Sequence, residues 1–152
     1  MTLGGEDPFH LSRFVEAQAK DYSVALAELR AGRKRTHWIW YVLPQLRGLG
    51  SSSMATYYGI DSLQEAEAYL AHPVLGQRLR ECVAAMNGLE GLSAAQVLGP
   101  IDAAKFRSCI TLFGIVDPND PDFGVALQKY FANIPDEATL ALLNSSRHGT
   151  PN

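Results

Sequence analysis

Between Leu75 and Met86 the residues Leu75, Leu79, Cys82, Val83 and Met86 recur at three- and four-residue intervals. That spacing stacks side chains along one face of an α-helix. Nowhere does the chain alternate apolar and polar residues with period two, the pattern a half-buried strand requires. Helices must therefore supply the whole core, and the expected fold class is all-α.

Glycine, proline and short polar residues divide the chain into about six to eight short helices. Asp7-Pro8 opens the first, with Leu11, Phe14, Val15, Tyr22, Leu26 and Leu29 on its apolar side and Gly32 as its stop. Asp21 is a candidate break within it. Trp38 to Leu43 is apolar or aromatic on every side, which fits a buried strand or one buried helical turn; the absence of other strands favours the helix. A flexible turn, Arg47 to Ser53, leads into a short helix from Met54 to Tyr58. Asp61 is the expected cap of the next helix, with Gln64 as its capping-box partner. Pro73 starts the helix of the Leu75 stripe, which ends at Asn87-Gly88.

Further on, Ser93 begins a short turn that Gly99-Pro100 breaks, and Asp102 is the expected cap of the helix that follows. That helix carries Phe106, Cys109, Ile110 and Phe113 on one side and Leu112 and Ile115 on the other. Apolar all round, it is expected at the centre of the fold. An acidic turn, Asp117 to Asp122, precedes a helix built on Phe123, Leu127, Tyr130 and Phe131. Asp136 caps a last helix reaching Leu143. No linker or repeat interrupts this series, so residues 7–143 read as a single compact globular domain and 144–152 as a flexible tail.

Composition narrows the function classes. A 152-residue chain with 47% apolar residues is the size of one globular domain with a self-sufficient core. Its 13 basic and 16 acidic residues nearly cancel, which excludes nucleic-acid binding by bulk positive charge. Cys82 and Cys109 fall on apolar helix faces in no metal-binding spacing, so they read as buried free thiols. The four histidines, His10, His37, His72 and His148, are scattered, and no metal or cofactor is expected. No leader-like apolar run opens the chain, and Trp38 to Leu43 is too short to span a bilayer. A soluble, cytoplasmic protein with no membrane partner is expected.

The charges that remain are unevenly spread. Between Glu28 and Asp61 the chain holds Arg30, Arg33, Lys34, Arg35 and Arg47 and no acid. The same window contains His37, Trp38, Trp40, Tyr41 and Gln45, and the turn Gly48-Leu49-Gly50-Ser51-Ser52-Ser53 before a helix. Backbone N–H groups at a helix start, a glycine-rich approach and nearby arginine form an anion site; the plainer alternative is a solvated loop and an ordinary cap. No Gly-Lys-Ser/Thr follows, so the turn is not a nucleotide P-loop. Trp38 and Trp40, two apart, point in different directions on a helix, so one can be core while the other offers a stacking wall for a ring.

Asp102, Lys105, Ser108 and Thr111 draw a polar line along the otherwise apolar central helix. Buried there, Lys105 needs a partner, and a desolvated lysine can serve as base or nucleophile. Equally, Asp102 can cap, Lys105 can snorkel outward and the hydroxyls can bond back to the preceding turn.

Several segments carry a family resemblance: Thr36-His37-Trp38-Ile39-Trp40-Tyr41-Val42-Leu43-Pro44-Gln45, Gly48-Leu49-Gly50-Ser51, Tyr69-Leu70-x-His72-Pro73-x-Leu75-Gly76-x-Arg78-Leu79, and Lys105-x-x-Ser108-x-x-Thr111-Leu112-Phe113. They resemble domain of unknown function 1810, a bacterial family some of whose members are called calpastatin. The likeness runs from about Phe9 to Leu143. Cys109 and Ile110 stand where Ser and Met are expected, and Leu43 where Phe is expected; the polar line is intact. The family name implies no activity. Lys105-Phe106 in a buried helix also resembles the NAD- and ADP-ribose-associated class, NADAR, which implies processing of ADP-ribosyl groups with a lysine as the catalytic residue.

The expected function is binding of a small anionic ligand, a phosphate-bearing nucleotide such as an ADP-ribose or NAD derivative, with cleavage of its N-glycosidic bond as the further step. Arg47, Gly50, Ser51 and Ser52 would hold phosphate, Trp38 or Trp40 would stack on a ring, and His37 and Gln45 would orient polar groups. Lys105 would act on the ribose carbon with Asp102 tuning it, while Ser108 and Thr111 hold the ribose. The alternative is a non-catalytic module whose basic-aromatic surface docks a protein or, less favoured, a nucleic acid. Whether the chain is an enzyme is left open.

Overall fold

The computed structural model describes residues 6–148, and among them nine helices and no strand. They are α1 (Ser12–Arg30), α2 (Ile39–Val42), α3 (Ser53–Tyr57), α4 (Leu63–Ala71), α5 (Leu75–Asn87), α6 (Ala94–Leu98), α7 (Pro100–Val116), α8 (Pro121–Phe131) and α9 (Glu137–His148). The all-α expectation holds. The one β-type contact among the described residues is an isolated parallel bridge between Leu46 and Ile60.

Two helices organise the packing. α5 lies against α1, α4 and α8, and α7 lies against α4, α6, α8 and α9. The whole α5 stripe is buried, and α7 buries Ala103, Phe106 and every residue from Ser108 to Phe113. Ile115, on the far side of α7, is 44% exposed, so the last turn of that helix emerges from the core. Phe14, Tyr69, Phe106, Phe113 and Phe123 form the aromatic centre. Both cysteines are free and buried there, and loss of solvation pushes the Cys82 thiol up to about 12.

The run Trp38 to Leu43 resolves as a helical turn rather than a strand. α2 is fixed by Gln18, whose Nε2 donates to the Tyr41 carbonyl at 2.6 Å, and by the Tyr41 hydroxyl donating to Asp21. Asp21 does not break α1; it points outward to hold α2. Gly32, at φ 79°, ends the α1 region in the left-handed conformation that L residues rarely adopt.

Three caps differ from the sequence expectation. Asp61 does not cap α4: the cap is Ser62, whose Oγ accepts from Glu65 N–H, while the Glu65 carboxylate accepts from Asp61 N–H. Asp102 does not cap α7, which starts at Pro100 after Gly99 with no side-chain cap. Gly99, at the N-cap position, has no side chain to accept a bond, and proline at the first helical position removes one of the unpaired donors outright. α1 starts at Ser12, later than Asp7-Pro8, yet Asp7 still serves it by accepting from the N–H groups of Leu11 and Ser12. Asp136 caps as expected, and Ser93, expected only to begin a short turn, instead caps helix α6 in a capping box with Gln96. α9 runs past Leu143 to His148, so the last helix is longer than the sequence suggested; the part of the expected tail at 149–152 lies outside the described residues.

One buried ion pair joins the helix starts. Arg13 and Glu65 meet at 2.8 Å, each side chain 3% exposed. The Arg13 guanidinium also donates to the carbonyls of Phe9, His10, Tyr57 and Gly59. A buried guanidinium with all its donors directed at acceptors is tolerated where a bare one would not be. This pair positions the 57–61 segment and, through it, the walls of the site.

Candidate functional site

Glu28 folds the basic segment back onto α1. Its carboxylate accepts from the N–H groups of Arg35 and Thr36, the Thr36 hydroxyl and Trp38 Nε1. Burial alone would raise its pKa, but these donors outweigh that and hold the carboxyl below its usual range. The result fixes Trp38 as core, 1% exposed, and sets Lys34 over its ring at 5.0 Å.

Lys34 is then the partner that Asp102 takes. Lys34 Nζ lies 2.9 Å from Asp102 Oδ2 and donates to the Thr36 carbonyl, and its side chain is only 6% exposed. Lys105 Nζ reaches the other oxygen, Asp102 Oδ1, at a looser 3.6 Å. One carboxylate thus faces two ammonium groups, and the nearer, more buried one claims it. Lys105, with its side chain 21% exposed, is the cation left over.

Lys105 opens on a narrow slot whose walls include Trp40, Gln45, Ala55 and Tyr58. Its free volume is about 10 Å³, room for a single water. Among the described residues, the Gln45 amide, the Trp40 indole N–H and the Tyr58 hydroxyl have no hydrogen-bond partner in the protein. Burial pushes the Tyr58 hydroxyl pKa up, with the neighbouring Tyr57 adding to the effect, so it stays a neutral phenol able to donate. The glycine turn backs this slot: a Cβ on Gly50 would come within 2.9 Å of Ala55 Cβ and 3.6 Å of Gln45 Nε2. The turn and the central helix therefore converge at Lys105, Trp40, Gln45 and Gly50.

The other candidate residues are placed differently. His37 is exposed, and only its carbonyl is engaged, by the Tyr41 hydroxyl. Ser51 is exposed, and Ser52 caps α3 by accepting from Ala55 N–H. Arg47 turns away from the slot: its Nε donates to the Thr56 carbonyl at 2.9 Å and its Nη1 to Asp61 at 2.8 Å. Ser108 bonds back to the Ala104 carbonyl, and Thr111 accepts from Asp136 N–H, tying α7 to the start of α9. Two residues that shape the site, Glu28 and Lys34, were not legible as such. Lys34 sits in a run of cations indistinguishable from a solvated loop, and no periodicity links it to Asp102.

Among the described residues no group of three or more His, Cys, Asp or Glu side chains is arranged to hold a metal ion, and no helix is long and apolar enough to cross a membrane. The molecule is thus an all-helical protein with a small basic-aromatic slot against its central helix. The match of residues 8–143 to the family model described as protein of unknown function (DUF1810) shows that the chain belongs to that family. It is also similar to the conserved hypothetical protein Rv1873 from Mycobacterium tuberculosis, solved as a crystal structure: 51% identity, a TM-score of 0.89, and coverage of 91% of this chain and 99% of that one. No curated protein matches the chain.

Proposed function

We propose that the protein binds a small phosphate-bearing nucleotide, of the ADP-ribose type, at the Lys105 slot. The observation that carries this is the imbalance at Asp102: Lys34 claims the carboxylate at 2.9 Å, which leaves the Lys105 ammonium at 3.6 Å uncompensated beside a half-buried tryptophan. A phosphate answers the ammonium, and a planar ring lies against Trp40. Gln45 offers a donor and an acceptor to the polar edge of that ring. The slot has room for one water only, so the ring lies across its mouth rather than inside it.

Binding, rather than attack on the ribose carbon, is the role this geometry favours for Lys105. The slot in front of Nζ has room for a single water, too little to seat a ribose carbon against it for attack. Ser108 and Thr111 already have partners within the fold, so the ribose would be held elsewhere along the slot. A second reading, docking of an anionic macromolecule, draws on the exposed Arg33, Arg35 and His37 on the adjoining segment.

A thermal-shift panel of ADP-ribose, NAD, AMP, inorganic phosphate and a short RNA against wild type and Lys105→Ala separates these. Ligand at a hundred times its Kd adds about 2.7 kcal/mol to stability, a readily visible shift. A shift with the nucleotides that Lys105→Ala diminishes supports the proposal. A shift with RNA alone favours docking, and no shift with any of them removes the anion site.

A further inference from the structure

Arg47 and Asp61, which the slot does not use, stand between two adjoining clefts of about 860 and 540 Å³, both of which they line together with Ser62. The larger has apolar walls from Leu46, Leu63, Ile115, Leu140 and Leu143. Ile115 and the neighbouring Leu142 are among the large apolar side chains the fold leaves exposed. A cleft of this size, with apolar walls and a polar edge of Arg47, Asp61, Ser62, Gln64 and Asn144, has the dimensions of an ordinary small-molecule site.

The charges at its edge select the ligand. Arg47 is braced through Nε by the Thr56 carbonyl and meets Asp61 at one point only, Nη1 to Oδ1 at 2.8 Å. Arg47 Nη2 and Asp61 Oδ2 therefore have no hydrogen-bond partner among the described residues, and the two side chains are 39% and 67% exposed. The pair presents a free cationic donor and a free anionic acceptor side by side, without itself needing to break. A simple anion drawn to Arg47 is repelled by Asp61, and a simple cation suffers the reverse. Only a ligand with both charges close together is attracted at both. We propose that this trough is a second binding site, for a zwitterionic small molecule with a bulky apolar side chain, of the α-amino-acid class. Its carboxylate meets Arg47 Nη2, its ammonium meets Asp61 Oδ2, and its side chain lies on the leucine-lined walls.

The test is titration calorimetry with L-phenylalanine, 3-phenylpropionate, which lacks the ammonium, and phenethylamine, which lacks the carboxylate, on wild type, Asp61→Asn and Arg47→Met, with circular dichroism to confirm folding. L-phenylalanine is expected to bind wild type at least about tenfold more tightly than either single-charge analogue. Asp61→Asn, which is nearly isosteric, is expected to weaken L-phenylalanine about tenfold while tightening 3-phenylpropionate, because it removes both the attraction and the repulsion. Arg47→Met should weaken both. No saturable binding of L-phenylalanine, equal affinity for 3-phenylpropionate in wild type, or affinity unmoved by Asp61→Asn would each overturn the proposal.

Discussion

Replacing Glu65 by alanine removes the anionic half of a buried pair whose side chains are each 3% exposed. Breaking such a pair from one side typically costs about 3–5 kcal/mol, because it leaves a buried charge uncompensated. Here the guanidinium keeps its bonds to the carbonyls of Phe9, His10, Tyr57 and Gly59, which places the loss toward the lower end. The same change takes the acceptor from Asp61 N–H, adding about 1 kcal/mol. The expected total is about 4 kcal/mol. For a chain of this length it lowers the Tm by about 8–16 °C. Arg13→Met should cost more, since it strands four carbonyls as well as the carboxylate, and Glu65→Gln should cost less, since an amide oxygen still serves Asp61 N–H. Urea unfolding followed by circular dichroism reads all three. A loss below about 1 kcal/mol for Glu65→Ala, the range of exposed pairs, would refute the claim that this pair fixes the 57–61 segment.

Glu28→Gln is expected to cost about 1–2 kcal/mol at neutral pH through weakened bonds to Arg35, Thr36 and Trp38, read by urea unfolding. Because its folded pKa is depressed below the ordinary value of 4.5, the stability Glu28 adds is present above that value and is lost as pH falls through the folded one. The gap between wild type and Glu28→Gln should therefore narrow in unfolding curves taken at progressively more acid pH. Gly76→Ala places a Cβ 2.0 Å from the Leu70 carbonyl oxygen, which has no room to retreat at the α4–α5 corner. Its cost should reach about 3 kcal/mol, measured the same way. Cys82 and Cys109, buried and with pKa values raised by loss of solvation, should resist a thiol-specific chromogenic reagent at mildly alkaline pH in the native protein and react fully in denaturant.

The helices were legible because burial writes a period into the sequence. Leu75, Leu79, Cys82, Val83 and Met86 mark the buried face of α5, and Phe106, Cys109, Ile110 and Phe113 that of α7. Capping was legible only where one residue could serve. Asp136 caps as expected, whereas Asp61 and Ser62 both can cap, and Ser62 wins because Glu65 then returns a bond to Asp61 N–H. The site was legible in part. Lys105, Trp40, Gln45 and Gly50 meet at one slot, but Arg47 is drawn to Asp61, and Ser108 and Thr111 to the backbone. The Ser108 bond to Ala104, four residues back, is the local alternative its spacing offered, whereas the Arg47 and Thr111 bonds depend on which elements pack together, and no local spacing encodes them. The same holds for Lys34, whose bond to Asp102 links residues far apart in the chain.

The most direct test of the Lys105 slot is isothermal titration of ADP-ribose into wild type and Lys105→Met, which keeps the apolar stem and removes the charge. An anion site built on the uncompensated ammonium requires saturable heat in wild type and affinity at least about tenfold lower in the variant, the equivalent of one charge-assisted hydrogen bond. Equal affinity in the two proteins, or no heat in wild type, would contradict it.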